Sequence, residues 1–339
     1  MRLSYAQRLE DYHLERVFGD RGRGTYIDVG AGHPIADNVS YWFYLKGWNG
    51  LVIEPQRDLL QLYPHIRPRD IAVQALVGRQ RGEADFHIVD RLHGLSTTIA
   101  ANTGTARELG AAVSTVRMPV STLGELAATH GFADVDFLKI DVEGAEADVI
   151  AGADWQRCRP RVVLVEALHP GSMVESWSHW EPQLVAQNYR FAFFDGLNRF
   201  YVAEEAADLI GRFPREPAPW DAVEHLWDYG RADQRSDHPD HALARALVHG
   251  FLASLPRLDK SMLRQLLMVK RMDHAADGSA APQTATQLLL GNAEFPGPCP
   301  AGADALEFDA LCDVLMDADR FRAALGRIAS AYDGGHITD

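Results

Sequence analysis

Short apolar runs, separated by polar and glycine-containing stretches, fill the first two thirds of the chain. Runs of this length are typical of buried strands in a parallel sheet that is covered on both faces. The runs that we interpret as such strands lie at residues 25–32, 50–55, 71–77, 136–140 and 161–170. Residues 189–202 follow as two strands joined through Asp195-Gly196, which is a strong hairpin signal. The pattern therefore predicts an α/β fold whose sheet ends in a β-hairpin.

Helical spacing of apolar residues predicts the elements around this sheet. The predicted helices span residues 3–18, 37–48 (ending at Gly47) and 176–188, with a further capped helix that begins at Ser121, and an additional strand spans residues 83–89. From about residue 204 the strand signals fade, and prolines between residues 214 and 219 mark a linker. The helices predicted beyond it span residues 240–255, 260–272, 283–292 and 303–331.

Composition and charge narrow the classes of protein that fit this pattern. The 339 residues are 47% hydrophobic and 24% charged, as in soluble globular proteins, and their net charge is −14. This charge argues against broad capture of nucleic acid or anionic membrane. No apolar run is long enough to span a bilayer, and residues 1–20 lack the apolar core of a signal peptide. The cysteines, Cys158, Cys299 and Cys312, are too scattered for a disulfide framework or a zinc site. We therefore expect a cytoplasmic protein.

The first strand leads into a glycine turn, Asp28-Val29-Gly30-Ala31-Gly32, and the second strand ends at Glu54. Small residues let the backbone pass close to a ligand, and an acid at the end of the second strand typically takes ribose hydroxyls. Dinucleotide-binding turns usually continue to a third glycine, but His33-Pro34-Ile35 follows here. The pattern predicts a nucleotide-type site and weakens an NAD(P) site without eliminating it.

Charged residues also mark the carboxyl ends of the fourth and fifth strands. Lys139 lies within the fourth strand, and Asp141 and Glu143 follow it. Such groups face the crevice where open α/β sheets bind ligands, although they could instead cap the helix that follows. Glu166 interrupts the apolar fifth strand, and His169 follows three residues later. A buried carboxylate costs several kcal/mol unless it is paired, so we expect Glu166 to have a partner or a ligand.

The string Lys-Ile-Asp-Val-Glu-Gly-Ala-Glu at residues 139–146 resembles the signature of the FkbM-type family of S-adenosylmethionine-dependent O-methyltransferases. The resemblance extends over roughly residues 24–203 and implies the Rossmann-like class I methyltransferase sheet. It implies S-adenosylmethionine as the cofactor, and the cofactor-binding residues that we expect are Asp28, Gly30, Ala31, Gly32, Glu54 and Asp141. Asp28 to Gly32 would line the methionine side of the pocket.

The other candidate residues are assigned roles from their positions near the carboxyl ends of the central strands and, for Ser96, from the resemblance. The expected catalytic residues are Asp141, Glu143 and His169, and the expected substrate-binding residues are Ser96, Lys139 and Glu166. Ser96 belongs to a Gly-Leu-Ser-Thr segment that resembles one in the family, although an ordinary loop or helix cap explains it slightly better. Two arrangements remain open: His169 or Glu143 removes a proton directly, or Asp141 and Glu166 help hold a divalent cation such as Mg²⁺.

We therefore predict an O-methyltransferase that acts on a hydroxyl of a sugar, glycan or related natural product. Two alternatives are an NAD(P)-dependent sugar-modifying oxidoreductase and a non-catalytic binding or assembly protein. The predicted domains are an N-terminal helix at 1–22, the methyltransferase domain at 23–205 and a helical C-terminal region at 206–339. The expected partner is a small-molecule or glycan acceptor, with no nucleic acid and no membrane span, and the chain could form a homo-oligomer.

Overall fold

The computed structural model describes residues 3–89, 96–108, 111–169, 172–213, 223–266 and 308–333. The chain divides into two compact units, Met1–Asp228 and Tyr229–Asp339. The strands are β1 (Leu3–Ser4), β2 (Thr25–Val29), β3 (Asn49–Ile53), β4 (Ile71–Val73), β5 (Leu76–Val77), β6 (Gly82–Val89), β7 (Val113–Ser121), β8 (Phe137–Ile140), β9 (Val162–Glu166), β10 (Tyr189–Phe194), β11 (Asn198–Ala203) and β12 (Glu224–His225).

The α-helices of the first unit are α1 (Glu10–Phe18), α2 (Tyr41–Leu45), α3 (Arg57–Leu60), α4 (Tyr63–Ile66), α5 (Thr103–Glu108), α6 (Leu123–His130), α7 (Glu146–Ala151) and α8 (Glu181–Ala186). Those of the second unit are α9 (His241–Ser254), α10 (Phe308–Asp317) and α11 (Asp319–Ala329). Short 3-10 helices span Ala100–Asn102, Trp177–His179, Glu204–Arg212, Leu226–Tyr229 and Leu255–Arg257.

A seven-stranded sheet forms the centre of the first unit, in the order β10-β11-β9-β8-β2-β3-β4. The strands from β9 to β4 run parallel, whereas β11 pairs antiparallel with both β9 and β10. The predicted hairpin is therefore present, and the Asp195 carboxylate accepts the backbone N–H groups of Leu197 and Asn198 in its turn. The strand order reverses between β2 and β8, so the carboxyl ends of four parallel strands meet beside a topological switch point.

A second, three-stranded sheet has the order β5-β7-β6. β7 pairs antiparallel with β6 along its whole length and parallel with β5 at its end. The single strand predicted at residues 71–77 is wrong, because this stretch divides between the two sheets as β4 and β5. The strand predicted at residues 83–89 is confirmed as β6, one residue longer.

The helix predicted at residues 3–18 is confirmed only from Glu10 onward. The Asp11 carboxylate accepts hydrogen bonds from the Ser4 hydroxyl and the Tyr5 backbone N–H, which folds the preceding residues back over the start of α1. Leu9 has a left-handed φ of 64° and separates the two parts. Residues 3–4 pair instead with β12, so they complete a small parallel sheet.

The helix predicted at residues 37–48 is also too long, since only Tyr41–Leu45 is helical. Asp37 has a φ of 52°, which lies outside the helical region. The Asn38 side chain donates hydrogen bonds to the carbonyls of Ala31 and His33 and so closes the glycine turn. At the other end Gly47, with a φ of 91°, stops the helix as predicted.

The hydrophobic core of the first unit continues beyond the predicted domain boundary at residue 205. Ala206 and Leu209 from the 3-10 helix Glu204–Arg212, together with Phe213, are buried in the same core as the central strands. Helix α1 contributes Leu14 and Val17 to that core. The predicted boundaries at residues 22 and 205 stay predictions, but the residues on either side of them share one core.

The second unit has a smaller core that joins Leu255, Leu311, Leu315 and Phe321. The helix predicted at residues 303–331 is divided at Ala318, whose ψ of 121° is extended, into α10 and α11. The helix predicted at residues 283–292, the end of the one at 260–272, the start of the one at 303–331 and the linker predicted at 214–219 lie outside the described residues. Within the described ranges we find no helix with the length and apolarity that a bilayer crossing requires.

A buried arginine holds the loops on the β3 and β4 side of the sheet. Arg67 and Asp70 form an ion pair 2.6 Å long, and neither side chain is exposed. The Arg67 guanidinium also donates to the Asn38 side chain, the Ser40 hydroxyl and the Tyr26 hydroxyl. Because Asn38 closes the glycine turn, Arg67 links the stability of the first unit to the shape of that turn.

We expect Arg67→Met to destabilise the first unit by roughly 3–5 kcal/mol, since it leaves the Asp70 carboxylate buried without its partner. Urea unfolding followed by tryptophan fluorescence would measure this, because all seven tryptophans lie between residues 42 and 227. Arg79→Met is the matched control: its ion pair with Asp148 is exposed, so its loss should cost less than about 1 kcal/mol. Equal effects of the two substitutions would contradict the role of Arg67.

Candidate active site

A cavity of about 1050 Å³ opens at the carboxyl ends of β2, β3, β8 and β9. This is the upper end of the roughly 300–1,000 Å³ found for small-molecule and cofactor sites. The residues predicted from sequence that line it are Gly30, Ala31, Gly32, Glu54, Ser96, Lys139, Asp141, Glu143, Glu166 and His169. Asp28 does not line it, since its side chain is buried behind the glycine turn. The topology therefore brings nearly all of the predicted site residues into one space.

The glycine turn requires glycine at two positions for different reasons. Gly30 has a φ of 71°, and a Cβ there would collide with the Asp141 carbonyl. Gly32 has a φ of 61°, but no atom lies within 4 Å of the position where its Cβ would be. Gly30 is thus needed for close packing of β2 against β8. Gly32 leaves open space where the backbone borders the cavity.

The turn closes on itself after Gly32 instead of leading into a helix. The Nδ1 atom of His33 accepts hydrogen bonds from the backbone N–H groups of Ile35 and Ala36. The next α-helix begins only at Tyr41. The N–H groups of Ile35 and Ala36 are therefore already hydrogen-bonded within the turn, and no helix begins directly after it.

Glu54 lies at the end of β3 and is almost completely buried. Each of its carboxylate oxygens accepts one backbone N–H, from Gly32 at 2.8 Å and from Gln56 at 2.8 Å. Burial raises the pKa of Glu54 from 4.5 to about 7, although the two N–H groups and the Lys139 charge oppose the shift. Glu54 both fixes the glycine turn and presents a carboxyl group to the cavity.

Lys139 is the buried cation at the centre of the site. Its Nζ atom lies 3.1 Å from Asp141 Oδ2 and 3.7 Å from Asp28 Oδ1, and it donates a 2.6 Å hydrogen bond to the Gly30 carbonyl. Burial alone would lower the pKa of Lys139, but the two carboxylates outweigh burial and raise it. The other Asp28 oxygen accepts the Ser40 hydroxyl. Asp28 therefore acts on the cavity through Lys139.

Glu143 adopts a backbone conformation that is unusual for a residue with a side chain. Its φ is 56°, and its carbonyl accepts hydrogen bonds from the Thr97 hydroxyl and the Asn102 side-chain amide, each at 2.9 Å. The Glu143 Oε2 atom is closed to solvent and has no hydrogen-bond partner. Burial, followed by the charges of Asp141 and Glu146, raises the pKa of Glu143 well above its ordinary value.

The helix that follows does not use Asp141 or Glu143 as a cap. Helix α7 begins at Glu146, and its N-cap, Ala145, makes no side-chain capping bond. The Glu146 carboxylate itself accepts the backbone N–H groups of Val142 and Gly144. The alternative in which Asp141 and Glu143 merely cap this helix is therefore wrong, and both residues are left to face the cavity.

Glu166 is the last residue of β9 and completes a group of three carboxylates. One oxygen from each of Asp141, Glu143 and Glu166 lies within 4.8 Å of the others. The Glu166 Oε2 atom is closed to solvent and has no hydrogen-bond partner. Burial, followed by the charges of Asp141 and Glu143, raises the pKa of Glu166 well above its ordinary value. The sequence predicted a partner or a ligand for Glu166. Its neighbours in this group are acids, which do not neutralise its charge.

Ser96 and His169 border the cavity in different ways. Ser96 is buried, and its hydroxyl oxygen accepts the Val89 backbone N–H, so part of its bonding capacity is used in the loop itself. His169 is exposed, and its ring lies 6.3 Å from that of His179. Ser96 therefore contributes to the wall, whereas His169 lies at the rim.

Asn102 escapes prediction from the sequence. It contacts Glu143 across 41 positions of the chain, and the 3-10 helix Ala100–Asn102 that carries it has no motif of its own. The neighbouring Thr97 is part of the Gly-Leu-Ser-Thr segment, but its contact with the Glu143 carbonyl could not be anticipated either. Both contacts depend on how the segment packs over the strand ends.

Comparison with known proteins gives a match to a family. Residues 28–191 match the family described as the methyltransferase FkbM domain, which confirms the resemblance found in the sequence. No curated protein sequence matches the chain. Among solved structures, a methyltransferase from Geobacter sulfurreducens has 13% sequence identity and a TM-score of 0.31, over 58% of this chain and 77% of that one.

The raised pKa of Glu54 predicts a pH-dependent contribution to stability. An acid whose pKa is higher in the folded chain than in the unfolded chain stabilises the fold at low pH, and this contribution disappears as the pH rises through the folded value. For a shift from 4.5 to about 7, wild type should lose roughly 2–3 kcal/mol relative to Glu54→Gln between pH 5 and pH 8. Urea unfolding of both proteins at each pH measures the difference. A difference that does not change with pH would show that Glu54 is ionised normally.

Proposed function

We propose that this protein, which carries an FkbM-type methyltransferase domain at residues 28–191, transfers a methyl group from S-adenosylmethionine to a hydroxyl of a sugar, glycan or related natural product. One observation carries the proposal. The glycine turn, the acid Glu54 at the end of the next strand and three further carboxylates line the same cavity. The family match supports a methyltransferase. The choice of cofactor and of a hydroxyl acceptor is our inference.

The residues around the glycine turn fit this cofactor. The open space beside Gly32 allows a ligand to approach the backbone closely, and Glu54 presents a carboxyl group that can accept hydroxyl hydrogens. The acids around Asp141 suit a ligand that carries positive charge. When bound, S-adenosylmethionine supplies a methyl group activated by its attachment to a cationic sulfur. We assign its binding to Gly30, Gly32, Glu54 and Asp141, with Asp28 acting through Lys139.

The acceptor hydroxyl must lose its proton during the reaction. We assign assistance in this step to the three carboxylates, Asp141, Glu143 and Glu166. Two arrangements meet this requirement. In one, Glu143 or His169 takes the proton directly as a general base. In the other, the carboxylates hold a divalent cation. Ser96 and Glu166 remain candidates for contact with the acceptor.

An NAD(P)-dependent oxidoreductase fits the geometry less well. Pyrophosphate binding in that class uses free N–H groups at the start of a helix immediately after the glycine turn. Here the N–H groups of Ile35 and Ala36 are bonded to His33, and no helix begins before Tyr41. A non-catalytic binding protein has no specific observation in its favour. Localisation, subunit number and the role of the C-terminal region stay predictions.

Calorimetric titration with S-adenosylhomocysteine tests the cofactor assignment. We expect Glu54→Ala to weaken binding by at least about tenfold, since hydrogen bonds to a charged group contribute roughly 1.5–3 kcal/mol each. Glu83→Gln, which alters an exposed carboxylate on β6, should bind like wild type. Equal affinities of wild type and Glu54→Ala would remove Glu54 from the site, and no binding by wild type would favour a non-catalytic protein.

Transfer of a labelled methyl group into components of a natural extract, detected by mass spectrometry, would identify the acceptor. With that acceptor, we expect Asp141→Asn and Glu143→Gln each to lower turnover by at least about a hundredfold, which is the typical scale of general-base catalysis. Tryptophan fluorescence would show that both variants remain folded. Turnover close to that of wild type in both variants would mean that these acids take no part in the chemistry.

A further inference from the structure

We propose that Asp141, Glu143 and Glu166 form a binding site for one hard divalent cation, such as Mg²⁺. The proposal rests on the proposed function, because it concerns the same cavity, and it selects the second of the two arrangements described above. Asp141 directly follows β8 and Glu166 ends β9, and these two strands are adjacent and parallel. The sheet therefore fixes the separation of Asp141 and Glu166, whereas Glu143 lies in the turn after β8, where Thr97 and Asn102 hold its carbonyl.

The geometry of the three carboxylates suits an oxygen-coordinated ion. One oxygen from each side chain lies within 4.8 Å of the other two. Mg²⁺ binds oxygen at about 2.0–2.1 Å in near-octahedral geometry, which places its ligand atoms roughly 3–4 Å apart, and Ca²⁺ allows wider spacing. Small rotations of the side chains would therefore complete the site. Carboxylates are also the ligands that hard cations prefer.

Two oxygen atoms in this group have bonding capacity that the protein does not use. Glu143 Oε2 and Glu166 Oε2 are both closed to solvent and lack a hydrogen-bond partner. A buried polar atom left in this state costs roughly 1–3 kcal/mol, and more when it is charged. A cation between the three side chains would satisfy both atoms at once.

The negative charges of Glu143 and Glu166 have no close positive partner among the described residues. The Nζ atom of Lys139 is already held by Asp141, Asp28 and the Gly30 carbonyl. Among the residues that the structure describes, Glu143 and Glu166 form no ion pair. The three carboxylate groups repel one another at this separation, and a divalent ion would cancel two negative charges at a single point.

The rival explanation is that these acids bind the positively charged groups of the cofactor and not a metal ion. Those groups would contact the acids only when the cofactor is bound, whereas a metal site should fill in the cofactor-free protein. This difference allows the two to be separated. The measurement must therefore be made on the full chain, without cofactor and without acceptor.

Electron paramagnetic resonance of Mn²⁺ provides the test, because the signal of the free ion shows how much is bound. We expect one Mn²⁺ per chain, displaced by excess Mg²⁺. Glu166→Gln and Glu143→Gln should each bind at least about tenfold more weakly, since one of three charged ligands is lost. Glu83→Gln should bind like wild type. Mn²⁺ should also raise the melting temperature of wild type but not of the two site variants.

The outcomes distinguish this proposal from the proposed function. Mn²⁺ binding that is the same in wild type and Glu166→Gln would overturn the metal site. Absence of Mn²⁺ binding to wild type would overturn it as well. If Glu166→Gln also lost S-adenosylhomocysteine binding, the acids would be assigned to the cofactor. A wild-type protein that binds Mn²⁺ but not S-adenosylhomocysteine would keep the metal site and lose the methyltransferase.

Discussion

The buried ammonium group of Lys139 connects the parts from which the site is built. Lys139 on β8 lies opposite Asp28 on β2 in the parallel register, and the same group reaches the Gly30 carbonyl and the Asp141 carboxylate. Without this cation, Asp28 would keep its hydrogen bond from the Ser40 hydroxyl but lose its ion pair, and Asp141 would lose its ion pair as well. Removing one partner of a buried ion pair typically costs about 3–5 kcal/mol. The glycine turn, the central strand pair and the first acid of the site thus depend on one side chain.

The charge of Lys139 acts on several acids at the same edge of the sheet. Glu54, Glu143 and Glu166 all have pKa values raised by burial, so their ionised forms are disfavoured until a positive charge arrives. A cationic cofactor and a divalent ion both supply such a charge. Binding of a positively charged ligand beside these acids would therefore favour their ionised forms.

The strand ends were predictable from sequence because an apolar run that stops at a charged residue identifies both the strand and its edge. Parallel topology then brings Glu54, Asp141 and Glu166 together, whatever lies between them in the chain. The helix limits near residues 3–9 and 37–40 were not predictable, since they depend on local bonds made by Asp11 and Asn38. Nor could the sequence reveal that Asp28 acts through Lys139, because burial behind the turn depends on packing.

The segment that carries Thr97 and Asn102 explains why Glu143 points into the cavity. A left-handed backbone costs a residue with a side chain roughly 1–2 kcal/mol, and such strain persists only where the surroundings impose it. Here two side chains donate hydrogen bonds to the Glu143 carbonyl. The next residue is Gly144, where a Cβ would lie only 2.8 Å from the Asn102 side-chain nitrogen. The strands of the large sheet therefore position Asp141 and Glu166, whereas a segment outside that sheet orients Glu143. A change in that segment could redirect one acid while the glycine turn and Glu54 remain in place, so the two sides of the cavity can vary independently.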